Sequence, residues 1–293
     1  MFGPSAPPDW ETVGARWPHR EKSAFVDAAG LRWHVQRFGD EALPTLLMVH
    51  GSGGATHSFR GLAPLLADRF HVIVPDLPGH GFTAARVGPT LPRTARDVAA
   101  LLRALNRDAD VVIGHSAGAA VAARMTLDDL AAPRALVAIN GAFYPFPGAA
   151  GTIFPIMAKM LFLNPVVPSV FAWGAQDRRR VEKLIGDTGS TLDEQGLDAY
   201  HALIRSPGHC RGALAQMAHW NLEPLLDDIG RLKTPLLAVV AENDKTIAPS
   251  DVERLSARLP SVTVERLPAL GHLAHEEDPA ATLAAMGSFL AKS

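Results

Sequence analysis

Residues Ala109-Asp110-Val111-Val112-Ile113 form an apolar run of strand character that passes directly into Gly114-His115-Ser116-Ala117-Gly118 and then into a helix-prone stretch, 119–130. A buried strand, a Gly-x-Ser-x-Gly turn and a helix in that order allow few folds, because the turn must be sharp enough to hold the serine in a strained backbone conformation. Glycine is required on both sides, since a Cβ at 114 or 118 would meet the neighbouring strand or helix. Such a turn lifts Ser116 above a parallel sheet and sets the free N–H groups of a helix N-terminus behind it. Ser116 is therefore the candidate nucleophile.

A serine needs a base and a group that orients the base. In a strand–turn–helix setting of this kind, the partners follow in the order acid, then histidine. Leu236-Leu237-Ala238-Val239-Val240 reads as a central parallel strand ending in Ala241-Glu242-Asn243-Asp244, and 262–267 alternates like a strand before Ala269-Leu270-Gly271-His272. Asp244 and His272 thus lie beyond the C-terminal ends of strands, on the sheet edge where open α/β sheets build their sites. His272 is the expected general base and Asp244 the group holding its tautomer. After the strand 135–139, another position that can hold the acid, the chain has Asn140, which cannot be an anion.

A third buried strand, 45–49, runs into His50-Gly51-Ser52-Gly53-Gly54. Small residues let this loop turn its backbone N–H groups toward the serine, and the expected oxyanion donors are Ala117 together with Ser52 or Gly53. The loop lacks the Gly-Lys-Ser/Thr ending of a phosphate-binding P-loop. His50, His115, Phe143 and the residues Phe154, Met157 and Leu161 further on are candidate substrate-pocket residues. His50 is expected to shape the loop rather than move protons. Asp76 and His80, in Pro75-Asp76-Leu77-Pro78-Gly79-His80-Gly81, are expected to be structural.

These segments, in this order and over nearly the whole chain, resemble the α/β-hydrolase superfamily. The resemblance implies a mostly parallel, doubly wound sheet with an inserted helical lid. A second resemblance rests on Asp9-Trp10, Trp17-Pro18, Leu31-Arg32-Trp33-His34-Val35-Gln36, the elbow extended to Ala120, the stretch Leu163-Asn164-Pro165-Val166-Val167-Pro168 with Phe171-Ala172-Trp173, and Gly271-His272-Leu273-Ala274-His275-Glu276-Glu277-Asp278-Pro279. Together these are similar to the magnesium-chelatase accessory proteins of bacteriochlorophyll biosynthesis. That likeness implies a hydrolase-like protein linked to tetrapyrrole and magnesium chemistry, with a tetrapyrrole as a candidate substrate and magnesium chelatase as a candidate partner, without fixing a reaction. The small residues Ala117-Gly118-Ala119 depart from ordinary esterase relatives and would widen the pocket floor.

The alternation of strands and helices sets the organisation. Residues 1–22 read as a proline-rich extension whose Trp10 and Trp17 pack onto the body. Residues 23–141 and 232–293 read as the core, opening with a hairpin over 23–38, and 142–231 as the lid. The lid's first half is apolar, but Pro155, Lys159, Asn164, Pro165 and Pro168 interrupt it, so a helix over 156–163 lying across the site is expected rather than a membrane span. Its apolar side chains either line the pocket or pack onto the body. Arg178-Arg179-Arg180 reads as a solvated helix face.

With 28 Lys and Arg against 30 Asp and Glu in 293 residues, the net charge of −2 gives no basis for nucleic-acid binding. One cysteine, Cys210, forbids an internal disulfide and suits a reducing cytoplasm. The start of the chain shows no secretory signal pattern. The 12 histidines show no zinc-ligand spacing, so neither a metal nor another cofactor is expected. Three functions follow: a serine hydrolase of an ester or similar acyl bond on a bulky apolar substrate, a non-catalytic porphyrin- or chelatase-binding accessory, and a carbon–carbon bond hydrolase of the meta-cleavage type. Intact catalytic components favour the first.

Overall fold

The computed structural model describes residues 6–145, 164 and 166–292. Eight strands form one sheet: β1 (Ser23–Ala28), β2 (Leu31–Phe38), β3 (Thr45–Val49), β4 (His71–Pro75), β5 (Val111–His115), β6 (Ala135–Ile139), β7 (Leu236–Ala241) and β8 (Thr263–Leu267). Their order is β1-β2-β4-β3-β5-β6-β7-β8. β2 is antiparallel to β1 and to β4, and every pairing from β4 to β8 is parallel.

The central strands β3, β5 and β6 are buried along their whole length, which explains why they read as continuous apolar runs rather than alternating ones. Side chains of one strand still part to opposite faces. Leu47, Val49, Val112, Leu136 and Ala138 join the core beneath the helices Leu91–Ala104 and Ala117–Leu127. Leu46, Met48, Val111, Ile113, Val137 and Ile139 join a second core with the helices Leu62–Leu66 and Pro279–Leu290. Helices on both faces force parallel strands, and parallel strands place all their C-terminal ends on one edge.

Helix limits differ from the sequence expectation for local reasons. The helix expected over 96–105 begins at Leu91, because Thr90 is extended and Pro92 falls in the first turn, where its missing N–H costs nothing. The helix expected over 119–130 stops at Leu127, since Asp129 takes a left-handed conformation at φ 54°. Between β6 and β7 lie the helices Val167–Gly174, Arg178–Asp187, Glu194–Ile204, Pro207–His219 and Glu223–Asp228. Three of them start on a side-chain cap from Asp177, Asp193 or Ser206. Arg178 is held by Glu182, Glu194 and Asp198. The expected helix over 156–163, with Phe154, Met157 and Leu161, lies outside the described residues. Trp17 packs at 4% exposure and donates to Thr56 Oγ1 at 2.9 Å.

Candidate active site

The junction of β5 with the following helix is the sharp turn that the glycines require. Ser116 sits between them at φ 50°, ψ −117°, a conformation that costs a non-glycine residue about 1–3 kcal/mol. Its N–H donates to Ile139 O at 3.0 Å, and its carbonyl accepts from Ala119 and Ala142 at 3.1 and 3.0 Å, which fixes the turn to β6. A Cβ at Gly114 would lie 2.5 Å from Ala119 Cα, and one at Gly118 would lie 2.6 Å from the Val49 carbonyl carbon. Both contacts are below any real Cβ separation, so the turn tolerates only glycine at these positions.

Asp244 follows β7 and His272 follows β8. His272 Nδ1–H donates to Asp244 Oδ2 at 2.8 Å. Asp244 Oδ1 accepts the N–H groups of Thr246 and Ile247 at 2.7 and 2.9 Å. Two backbone donors thus aim the carboxylate, and the carboxylate fixes which imidazole nitrogen carries the proton. His272 is tied down through its own carbonyl, which accepts from His115 Nε2 at 3.0 Å and from Asn140 Nδ2 at 2.9 Å. Asn140 Nδ2 also reaches Gly271 O, while Asn140 Oδ1 accepts from Ala241 N at 2.8 Å. Asn140 therefore straps the ends of β6 and β7 to the histidine loop. Among the described residues, no hydrogen bond links Ser116 Oγ to His272; such contacts commonly close only around substrate.

The loop after β3 approaches the elbow closely, since a Cβ at Gly51 would stand 2.9 Å from Ser116 Cβ. His50 is wholly inaccessible: its Nδ1–H donates to Gly51 O at 2.7 Å and its Nε2 accepts from Leu77 N at 2.9 Å. Burial keeps its pKa below the usual histidine range, so it stays neutral and shapes the loop instead of lining an open pocket. His115 is also engaged in the framework, at 3% exposure. Phe143 borders a small cavity of about 30 Å³ with Tyr144, Asn140 and Asp244, room for about one water.

Two residues of the helix Pro207–His219 hold the same loop from above. Ser52 Oγ donates to Gln216 Oε1. His209 Nε2–H donates to Gly53 O at 3.1 Å, and its Nδ1 accepts from Gly81 N at 3.0 Å. Both side chains are 2% exposed. Sequence reasoning missed them because neither belongs to a motif, and their partners lie more than a hundred residues away. The sequence led us to expect structural roles for Asp76 and His80, and the structure ties both into the turn that follows β4. Asp76 accepts from Thr56 N, Phe82 N and His34 Nδ1, and His80 is wholly buried with Nδ1 3.3 Å from Pro78 O.

A buried charge network sits beyond the histidine loop. Glu276 accepts from Ser58 Oγ at 2.7 Å, from Tyr200 OH at 2.8 Å and from Arg60 Nη1 at 2.5 Å, and Arg60 Nη2 also pairs with Asp193 at 2.6 Å. It clamps the helix Glu194–Ile204 to the core and to the turn after His272. Removing one partner leaves a buried charge alone, so Arg60→Ala is expected to lower unfolding stability by about 3–5 kcal/mol, checked by urea denaturation.

Residues 46–285 match the Alpha/beta hydrolase family. The chain belongs to that family. This hydrolase is 40% identical over 272 residues, 92% of its own length and 94% of the other's, to a magnesium-chelatase 30 kDa subunit of Rhodobacter capsulatus. It is 27% identical to a 2-(acetamidomethylene)succinate hydrolase of Mesorhizobium japonicum, covering 92% and 95% of the two chains. Its fold superposes on an α/β-hydrolase fold protein from Burkholderia ambifaria with a TM-score of 0.74 at 24% identity, over 90% of this chain and 98% of that one. In the hydrolase, the sheet edge formed by β5, β7 and β8 gathers Ser116, Asp244 and His272, while the β3 loop brings Ser52 and Gly53. Among its described residues, no group of His, Cys, Asp and Glu has the arrangement of a metal site, and no helix is long and apolar enough to cross a membrane.

Proposed function

We propose that this hydrolase is a serine hydrolase acting on an ester or similar acyl bond of a bulky apolar substrate. The observation that carries the reading is the pairing of Ser116, strained at φ 50°, with a His272–Asp244 bond of 2.8 Å on the same sheet edge. Ser116 Oγ attacks the carbonyl carbon while its proton passes to His272 Nε2. The tetrahedral oxyanion takes hydrogen bonds from the N–H of Ala117, the first residue of its helix, and from the N–H of Ser52 or Gly53. No partner within the described residues competes for the Ser52 and Gly53 N–H groups. His272 returns the proton to the departing alkoxide, then activates water to hydrolyse the acyl-Ser116 ester.

The 40% identity to a protein named as a magnesium-chelatase subunit favours a tetrapyrrole as the bulky substrate, within tetrapyrrole biosynthesis and beside the chelatase. It also supports a second reading, a non-catalytic accessory that binds a porphyrin or the chelatase itself. Fluorophosphonate labelling, with the modified peptide mapped, separates the two. Labelling of Ser116 in the wild type that is lost in Ser116→Ala and falls sharply in His272→Ala supports the hydrolase. An unlabelled Ser116 together with porphyrin binding supports the accessory.

The helix above the loop enters the reaction by positioning. Gln216→Leu removes the acceptor of Ser52 Oγ and frees the donor loop to drift. A misplacement of about 1 Å is enough to cost on the order of 10²-fold. Ester kinetics are expected to show kcat falling by about 10–10² while KM changes little, since the lost contact matters most once the oxyanion forms.

A further inference from the structure

A second Ser–His–Asp constellation lies on β1, β2 and the turn after β4. In the hairpin register Ser23 pairs with Gln36 and Phe25 with His34, so Ser23 and His34 are diagonal neighbours on one face of the sheet. β2 also pairs with β4, which brings Asp76, just past Pro75, under His34. His34 Nδ1–H donates to Asp76 Oδ2 at 2.7 Å, and His34 Nε2 stands 3.0 Å from Ser23 Oγ.

The wiring repeats that of the first site in its particulars. Asp244 accepts two backbone N–H groups besides its histidine. Asp76 does the same, from Thr56 at 2.6 Å and Phe82 at 2.8 Å. With Nδ1 bonded to Asp76, Nε2 is the His34 atom that faces the Ser23 hydroxyl, the arrangement that makes a serine nucleophilic. Trp10, Phe25 and Phe82 surround the imidazole at centroid distances of 5.0, 5.4 and 5.2 Å and hold its plane. His34 and Asp76 have no exposed surface, whereas Ser23 is half-buried. The serine–histidine hydrogen bond that Ser116 lacks is therefore already formed at Ser23.

We propose that Ser23, His34 and Asp76 form a second activated-serine site, at which Ser23 Oγ accepts the acyl group of small activated esters. In this step the Oγ–carbonyl carbon bond forms and the ester C–O bond breaks. The hydroxyl proton moves to His34 Nε2 and then to the departing oxygen. The site differs from the first in one respect that sets its behaviour. Ser23 lies in extended backbone (φ −82°, ψ 140°) with its own N–H donated to Arg20 O, so it has neither a strained elbow nor a free amide for the oxyanion. Ser23 is thus acylated once and deacylates slowly, independently of whether Ser116 turns over substrate.

The test uses the full chain carrying Ser116→Ala, so that Ser116 chemistry is absent whatever its role. With p-nitrophenyl acetate, the expected result is a burst of about one equivalent of nitrophenolate per chain, with the acetyl group mapped to Ser23 by peptide mass spectrometry. The burst disappears when Ser23→Ala is added. Absence of a Ser23 adduct, or an adduct elsewhere with an unchanged burst in the double variant, overturns the proposal. A Ser23→Cys variant gives an independent readout. A thiol paired with His34 should react with iodoacetamide at about pH 6 at least about tenfold faster than free cysteine. The native Cys210 does not compete, because burial pushes its thiol up to about 11. A rate no greater than that of free cysteine overturns the proposal as well.

Discussion

Ester turnover by this hydrolase is expected to fall by about 10⁴ in Asp244→Asn and by about 10⁶ in Ser116→Ala, the losses seen when a triad's acid is neutralised or its nucleophile removed. The two losses have different causes. Ser116→Ala deletes the attacking atom. Asp244→Asn leaves every side chain in place but offers an amide to His272 Nδ1, which favours the tautomer that cannot accept the serine proton. The structure also predicts that Asn140→Asp does not rescue Asp244→Asn. Asn140 Nδ2 donates to the carbonyls of Gly271 and His272, and Oδ1 accepts from Ala241 N. A carboxylate there would lose both donor bonds and face two carbonyl oxygens. Steady-state hydrolysis of a p-nitrophenyl ester measures all three variants; activity of Asp244→Asn within tenfold of wild type would refute the role given to Asp244.

The second large effect is acid unfolding well above the usual carboxylate range. His50, His57, His80, His115, His209 and His275 are all buried with pKa values lowered chiefly by burial, His209 to about 4 and His275 to about 3. The unfolded chain protonates these groups near pH 6.5 and the folded chain does not. Between about pH 6.5 and pH 4 the unfolded state therefore binds more protons, and stability falls as pH falls. Six such groups act in the same direction, so their losses add against the small net stability of an ordinary domain. Glu276, whose pKa burial raises despite Arg60, offsets a small part of this loss.

Urea midpoints should accordingly be flat above about pH 7.5 and drop steeply below about pH 6. His57 isolates one group, because among the described residues neither of its nitrogens has a hydrogen-bond partner and it stacks edge-on between Trp17 and Tyr200. His57→Phe keeps that packing, and should make the protein more stable at neutral pH and its pH dependence shallower by about one proton. A pH dependence identical to wild type would show that His57 titrates in the folded chain as it does in the unfolded chain.

Much of this was written in the chain. Gly114 and Gly118 could flank only a tight turn, because a Cβ at either place meets backbone. The apolar runs at 45–49, 111–115, 135–139 and 236–241 could only be doubly covered strands, and parallel strands bring Ser116, Asp244 and His272 to one edge. Local sterics and burial fixed these points, and both act over a few residues at a time. The tertiary structure decided what depends on distant partners. Gln216 and His209 brace the loop after β3 across more than 150 residues, and Asn140 became a strap for His272 instead of merely an absent acid. His34 met Ser23 and Asp76 only through the register of β1 with β2 and of β2 with β4. Side-chain hydrogen bonds need placement to within a few tenths of an ångström. That precision arises from how the whole chain packs, so no local pattern records it.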